Sequence, residues 1–173
     1  MRGSANVIGL PIVASDGTSV GTVCDLVFFE TGEFFGFLVK GKGLFGRKMV
    51  LPYATLDSAG MDCLVVSQTD PLIKLEASTF TLTHQHKLQG KRVVSQNGEA
   101  LGILDQVYFS DDLGNIVAYE CSDGFFADVT EGKPVYTTSG PANITGDAIV
   151  LEPTNEREGV RNEVSQLWEE GHR

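Results

Sequence analysis

One stretch of this chain occurs twice, and that duplication limits the folds open to it more than any other feature. The segment GLPIVASDGTSVGTVCDLVFF, residues 9–29, returns as GKRVVSQNGEALGILDQVYFS, residues 90–110. A shift of 81 positions carries Gly9, Gly17 and Gly21 onto Gly90, Gly98 and Gly102, Val13 onto Val94 and Phe28 onto Phe109. Self-similarity at that spacing implies two similar units in tandem rather than one fold drawn from the whole length. A unit of about 80 residues folds with little core to spare, so the halves are expected to support each other.

Asp16-Gly17 and Asn97-Gly98 sit at matching places, and both dipeptides favour a two-residue hairpin turn because both positions tolerate positive φ. The run before the first turn, Val7 to Val13, contains Gly9 and Pro11 and reads as an edge or bent strand. The strand after it, Val20 to Phe29, places Val23, Leu26 and Phe28 out of strict alternation, as Leu104, Val107 and Phe109 are in the second copy. A one-residue bulge near Cys24-Asp25, and near Asp105-Gln106, returns all of them to one face. Such a bulge bends a strand sharply, as closing a small barrel requires.

Thr31-Gly32-Glu33 and Asp112-Leu113-Gly114 then turn the chain into Phe34 to Val39 and Ile116 to Cys121. Alternation there predicts that Phe35, Phe37 and Val39 face the core with Val117, Tyr119 and Cys121, leaving Phe34 and Leu38 on the other face. Met49 to Tyr53 is a short strand ended by proline, with Pro134-Val135-Tyr136 the loose counterpart of Leu51-Pro52-Tyr53. Leu56 to Val66 pairs in the same way with Ile144 to Leu151. Asp70 to Lys87 is a linker, and from Thr154 the spacing of Val160, Val164, Leu167 and Trp168 predicts an amphipathic helix. The expected division is residues 1–75, 76–153 and a polar tail, 154–173. Met1-Arg2-Gly3-Ser4 is set aside as uninformative about the fold.

Three cysteines, Cys24, Cys63 and Cys121, are odd in number and widely spaced in apolar strands, with neither CxxC spacing nor a disulfide framework. They read as small buried hydrophobes in a reducing compartment, so a cytoplasmic protein is expected. No apolar run reaches the ~18 residues of a membrane span. The net charge is −10, spread unevenly. Residues 1–75 carry six basic and seven acidic groups, whereas residues 76–153 carry four and eleven. That balance weakens attraction to phosphate backbones and makes nucleic acid an unlikely partner.

The residues that carry the repeat also carry a resemblance. GLPIVASDGTSVGTVCDLVF, the following GEFFGFLVKG, and KMVLPYATLDSAGMDCLVV with its Leu-Pro-Tyr and Gly-x-Asp endings resemble the PRC-barrel family. The first copy matches along residues 6–68; the second matches over 88–152 without a clear Leu-Pro-Tyr. These small β-barrels are seen in the cytoplasmic part of the photosynthetic reaction centre H subunit and in the C-terminal domain of a ribosome maturation factor. The resemblance implies an all-β chain of two tandem barrels with a short C-terminal helix, and a binding or adaptor role. It implies no shared active site.

The residues themselves offer little chemistry. His84-Gln85-His86 puts two imidazoles on one side of an extended segment, but without nearby Cys or carboxylate partners exposed linker polarity is the simpler reading. Asp25 reads as a bulge residue bonding nearby backbone, its counterpart being Gln106. Asp111-Asp112 needs only turn chemistry. Gly41-x-Gly43-x-x-Gly46 imitates a phosphate loop yet leads into a strand, not the helix N-terminus that would bind phosphate. No serine or threonine lies in a nucleophile elbow. A non-enzymatic protein without cofactor or metal is therefore expected.

The stretch that stands out is KGKGLFGRK, where Lys40, Lys42, Arg47 and Lys48 flank the apolar tip Leu44-Phe45; the matching loop SDGFFADVTEGK is acidic. It suits contact with a protein partner of acidic and apolar surface, and suits a solvated hairpin too. The expected role is protein binding or complex assembly, with homodimerisation open. An RNA- or ribosome-associated assembly factor and a small-ligand or metal-binding protein are the alternatives.

Overall fold

The computed structural model describes residues 1–41, 46–67, 71–122 and 132–154. The C-terminal helix expected after Thr154, and Lys42, Leu44 and Phe45, lie outside the described residues. In chain order the elements are β1 (Arg2–Gly3), a helical turn α1 (Ser4–Val7), β2 (Pro11–Ala14), β3 (Ser19–Phe28), β4 (Phe34–Lys40) and β5 (Met49–Pro52). A 3-10 turn (Tyr53–Thr55) leads to β6 (Leu56–Ala59), β7 (Leu64–Val66), β8 (Ile73–Lys74) and β9 (Phe80–Thr81). The second half adds β10 (Arg92–Ser95), β11 (Ala100–Phe109), β12 (Ile116–Ser122), β13 (Val135–Thr137), β14 (Asn143–Ile144) and β15 (Ala148–Leu151). The protein is all-β.

The strands form two sheets of one topology. The first runs β6-β7-β2-β3-β4-β5-β8 and the second β14-β15-β10-β11-β12-β13. Both contain one parallel pairing, β2 with β7 and β10 with β15, among antiparallel neighbours. Gly17 and Gly98 occupy equivalent hairpin turns at φ +87° and +85°. The run 7–13 is not one strand: α1 closes at Val7, Gly9 turns at φ +100°, and pairing resumes at Pro11.

The expected bulges are present. Cys24 is skipped between Val23 and Asp25, and Asp105 between Leu104 and Gln106. A second bulge in each half is not visible in the apolar pattern. The register also slips at Phe35, between Gly36 and Phe34, and at Val117, between Ala118 and Ile116. Each extra residue reverses the parity of its strand. Phe34 and Ile116 therefore point into the main core with Phe37, Val39, Tyr119 and Cys121, whereas Phe35 and Val117 go to the outer faces. The expected placing of Phe34 and Phe35 is reversed for that reason. The later alignment also shifts: Leu51 and Tyr136 face Phe37 and Tyr119 across matching ladders, so Pro134 corresponds to Met49 rather than to Leu51.

The sheets share strands across the repeat. β9, from the linker, pairs with β3, and β1, from the opening residues, pairs with β11. The two additions are equivalent, since Phe80 lies opposite Phe28 and Arg2 opposite Phe109. Arg2 and Gly3, within the stretch set aside on sequence grounds, thus belong to the second sheet. Arg2 is 4% exposed and donates from Nη1 to Ala59 O at 3.1 Å and from Nη2 to Gly60 O at 2.9 Å, tying the second sheet to the first-sheet edge.

One apolar core runs through both halves. At its centre the Phe34 ring meets Phe109 at 4.8 Å, Phe37 at 5.3 Å and Phe28 at 5.9 Å, geometries typical of edge-on aromatic packing. Beside it Gly32, at φ +88°, lies so close to Ala142 that a β-carbon would fall 1.7 Å from its carbonyl oxygen. The same turn position in the second half holds Leu113, left-handed at φ +63° and fully buried. A left-handed leucine costs roughly 1–2 kcal/mol, offset by the ~1.5–3 kcal/mol of burying its side chain.

Candidate functional site

The end of the first sheet where β4 stops and β5 begins gathers exposed cations. Lys40 closes β4, and Arg47 and Lys48 precede Met49, which lies opposite Val39. The bulge residue Cys24 sits near this end. Burial pushes its thiol pKa up, and the ammoniums of Lys48 and Lys40 partly counter that shift. None of Lys40, Arg47 and Lys48 forms an ion pair with a described residue.

The second half supplies an internal comparison. Val50 and Val135 lie opposite the equivalent residues Leu38 and Glu120, so Lys48 corresponds to Lys133. The bulge residues correspond as Cys24 and Asp105. In the second half the lysine is matched to the bulge, with Lys133 Nζ 2.8 Å from Asp105 Oδ2. In the first half the bulge carries a thiol whose raised pKa keeps it neutral, and Lys48 forms no ion pair with a described residue. The same scaffold position is closed in one half and open in the other.

A second cluster forms where the linker crosses β3. The Asp25 carboxylate is fully buried. Its Oδ1 accepts from Leu26 N at 2.8 Å, its Oδ2 accepts from Thr83 N at 3.0 Å, and Oδ2 meets His84 Nδ1 at 2.6 Å. Asp25 does bond nearby backbone, but its partners 58 and 59 residues away are the larger part of its environment. Thr83 Oγ1 reaches the same Nδ1 at 2.9 Å. Hydroxyl and carboxylate thus compete for one ring nitrogen, unlike a relay in which the carboxylate and the nucleophile use opposite nitrogens of the imidazole. His86 turns away, with Nε2 3.1 Å from Ala77 O and its ring against Phe80. The two imidazoles serve different contacts, and no group of three potential metal ligands occurs among the described residues. The meeting of Asp25 and His84 had no sequence signal beyond the residues themselves.

The counterpart of Asp25, Gln106, belongs to a polar set on the outer face of the second sheet. Its Nε2 donates to Tyr108 Oη at 3.1 Å and to Glu120 Oε1 at 3.2 Å, while Tyr108 Oη donates to Glu120 Oε2 at 2.7 Å. Burial first, then the bond to Glu120, pushes the Tyr108 phenol well above its usual range. At the turn, Asp112 accepts from Ser110 Oγ and from Gly114 N at 3.0 Å, and the Ser110 hydrogen bond leads in holding its carboxyl low. An open cleft of about 810 Å³ lies beside the second hairpin, lined by Gln96, Asn97, Glu99, Tyr136, Glu152 and Thr154 among others.

Residues 1–70 and 81–158 each match the model of the PRC-barrel domain. The chain belongs to the PRC-barrel family. It is 33% identical over 155 residues, 87% of each chain, to the protein of Bacillus subtilis (strain 168) named Uncharacterized protein YrrD. Two PRC-barrel domains thus account for both copies of the repeat. Among the described residues no helix is long and apolar enough to cross a membrane.

Proposed function

We infer that this two-domain PRC-barrel protein is a cytoplasmic, non-enzymatic binding module whose first domain contacts a protein partner through the basic corner at Lys40, Arg47 and Lys48. The observation that carries this reading is the difference between the halves. A lysine neutralised by Asp105 in one is left open beside Cys24 in the other. Exposed charges contribute little to affinity one by one, about 0–1 kcal/mol per pair, so they steer encounter. Burying a side chain such as Phe45 contributes ~1.5–3 kcal/mol, and the apolar tip, Leu44-Phe45, is expected to decide how long the complex lasts.

The test is affinity capture from the native host with the full chain, compared with Lys40→Glu/Arg47→Glu/Lys48→Glu and with Phe45→Ala. A partner retained by wild type and lost by the charge variant supports the reading, with Phe45→Ala raising the off-rate more than Lys42→Ala does. Identical recovery by all variants would remove the corner from the function. If nuclease treatment abolishes capture, the contact is with RNA and the reading fails in favour of the assembly-factor alternative.

A further inference from the structure

The basic corner adjoins an unfinished sheet edge. β8 is the outermost strand of the first sheet on the β5 side, and no described strand pairs with its outer side. Both of its residues are exposed, Ile73 at 43%. The ladder carries one row of residues from Asp25 through Leu38 and Val50 to Ile73. Leu38 and Val50 are buried in the outer-face cluster that Leu75 helps cover, so Ile73 prolongs an apolar face to the rim of the sheet. The next row, Val39, Met49 and Lys74, presents Lys74 at the same edge on the opposite face. One step further, Lys40 and Lys48 end β4 and precede β5.

A sheet edge invites another strand, and lysine at the edge is the usual protection against it. That protection depends on the sign of the incoming chain. Lys40, Arg47, Lys48 and Lys74 form no ion pair with a described residue, so they repel a basic edge and attract an acidic one. A phosphate polymer suits the site less well, since the chain as a whole carries −10 and would repel any length extending past the corner.

We propose that β8 and the basic corner accept an extended acidic segment of a partner protein, which adds to the first sheet as a further strand. It sets an apolar side chain beside Ile73 and a carboxylate beside Lys74, while Lys48 and Lys40 add attraction at the corner. Main-chain hydrogen bonds to β8 hold the segment, and the alternating apolar and acidic side chains select it. The proposal rests on reading the corner as a protein-contact surface and adds the chemistry and conformation of what it contacts.

The experiment uses the full chain and a fluorescein-labelled ten-residue peptide of valine and glutamate, followed by anisotropy. The expected result is saturable binding that weakens as salt rises. Lys74→Glu and Lys48→Glu should each reduce affinity about tenfold while leaving the circular dichroism spectrum unchanged. A peptide with N-methylated central amides should lose affinity by a similar factor, and a valine–lysine peptide should not bind. Absence of saturable binding by the acidic peptide overturns the proposal. Equal binding of the N-methylated peptide overturns strand addition and leaves charge attraction only. If sedimentation shows the wild type self-associating through Lys48 and Lys74, the occupant is a second copy and the proposal fails. If the peptide fails while Lys40→Glu/Arg47→Glu/Lys48→Glu still loses its cellular partner, strand addition falls and the contact surface stands.

Discussion

Replacing Gly32 by alanine tests whether the two halves are one cooperative structure. Two effects act at this position. At φ +88° any side chain meets its own backbone unfavourably, which costs roughly 1–2 kcal/mol. The new β-carbon would also fall 1.7 Å from Ala142 O and 2.9 Å from Ala142 C, both main-chain atoms of the second domain. Neither can rotate aside, so the turn must lift off the second domain, at about 1–3 kcal/mol for overpacking. The sum, roughly 2–5 kcal/mol, is a large share of the ~5–15 kcal/mol by which a domain is stable. Gly17→Ala is the control, because Gly17 has nearly the same φ, +87°, and no atom within 4 Å of its would-be β-carbon. Urea unfolding of both variants, read by circular dichroism, separates the terms: the difference should be ~1–3 kcal/mol, about 2–12 °C in Tm for a chain of this size. If Gly32→Ala is no more destabilising than Gly17→Ala, the close approach of Gly32 to Ala142 does not exist in solution.

Three further outcomes follow from the same contacts. Asp25→Asn and His84→Ala should each destabilise by about 1–3 kcal/mol, discounted because the imidazole is 41% exposed, and hydrogen exchange should rise at Thr83; a double mutant whose loss equals the two single losses added would show that the pair is not coupled. Burial holds the Cys121 thiol and the Tyr119 phenol neutral up to about pH 12, whereas in the unfolded chain they ionise from about pH 9 and pH 10. The unfolded state then binds fewer protons, so the contribution of these two groups should be level from neutral pH to pH 9 and fall towards pH 12; Cys121→Ala should flatten the first part of that fall, and an unchanged slope would count against it. A fragment of residues 1–75 lacks β9 and Phe109, leaving Phe34 and the Val27–Phe28 end of β3 uncovered, so light scattering should find it self-associating or unfolded, and a stable monomer would contradict the shared core.

Much of this protein was decided by short-range chemistry that a linear reading can follow. The hairpins at Gly17 and Gly98 come from dipeptides that accept positive φ, and the bulges at Cys24 and Asp105 show as a break in alternation within one strand. The duplication itself implies equal topology in the two sheets, since similar turns and apolar spacings pair strands in the same order. The cationic loop was legible too, as composition. Its open charge became visible only when Lys48 and Lys133 could be placed at one scaffold position with different neighbours. The second bulges, at Phe35 and Val117, escaped because Phe34, Phe35, Ile116 and Val117 are all apolar, so a slip in parity there leaves no mark in hydrophobicity. The exchange of β1 and β9 between sheets, the Asp25–His84 contact and the seat of Gly32 against Ala142 join residues tens to more than a hundred positions apart. No periodicity encodes such pairs: they exist because each small sheet leaves an edge and an apolar face that its own 80 residues cannot cover, and only packing decides which distant segment covers them.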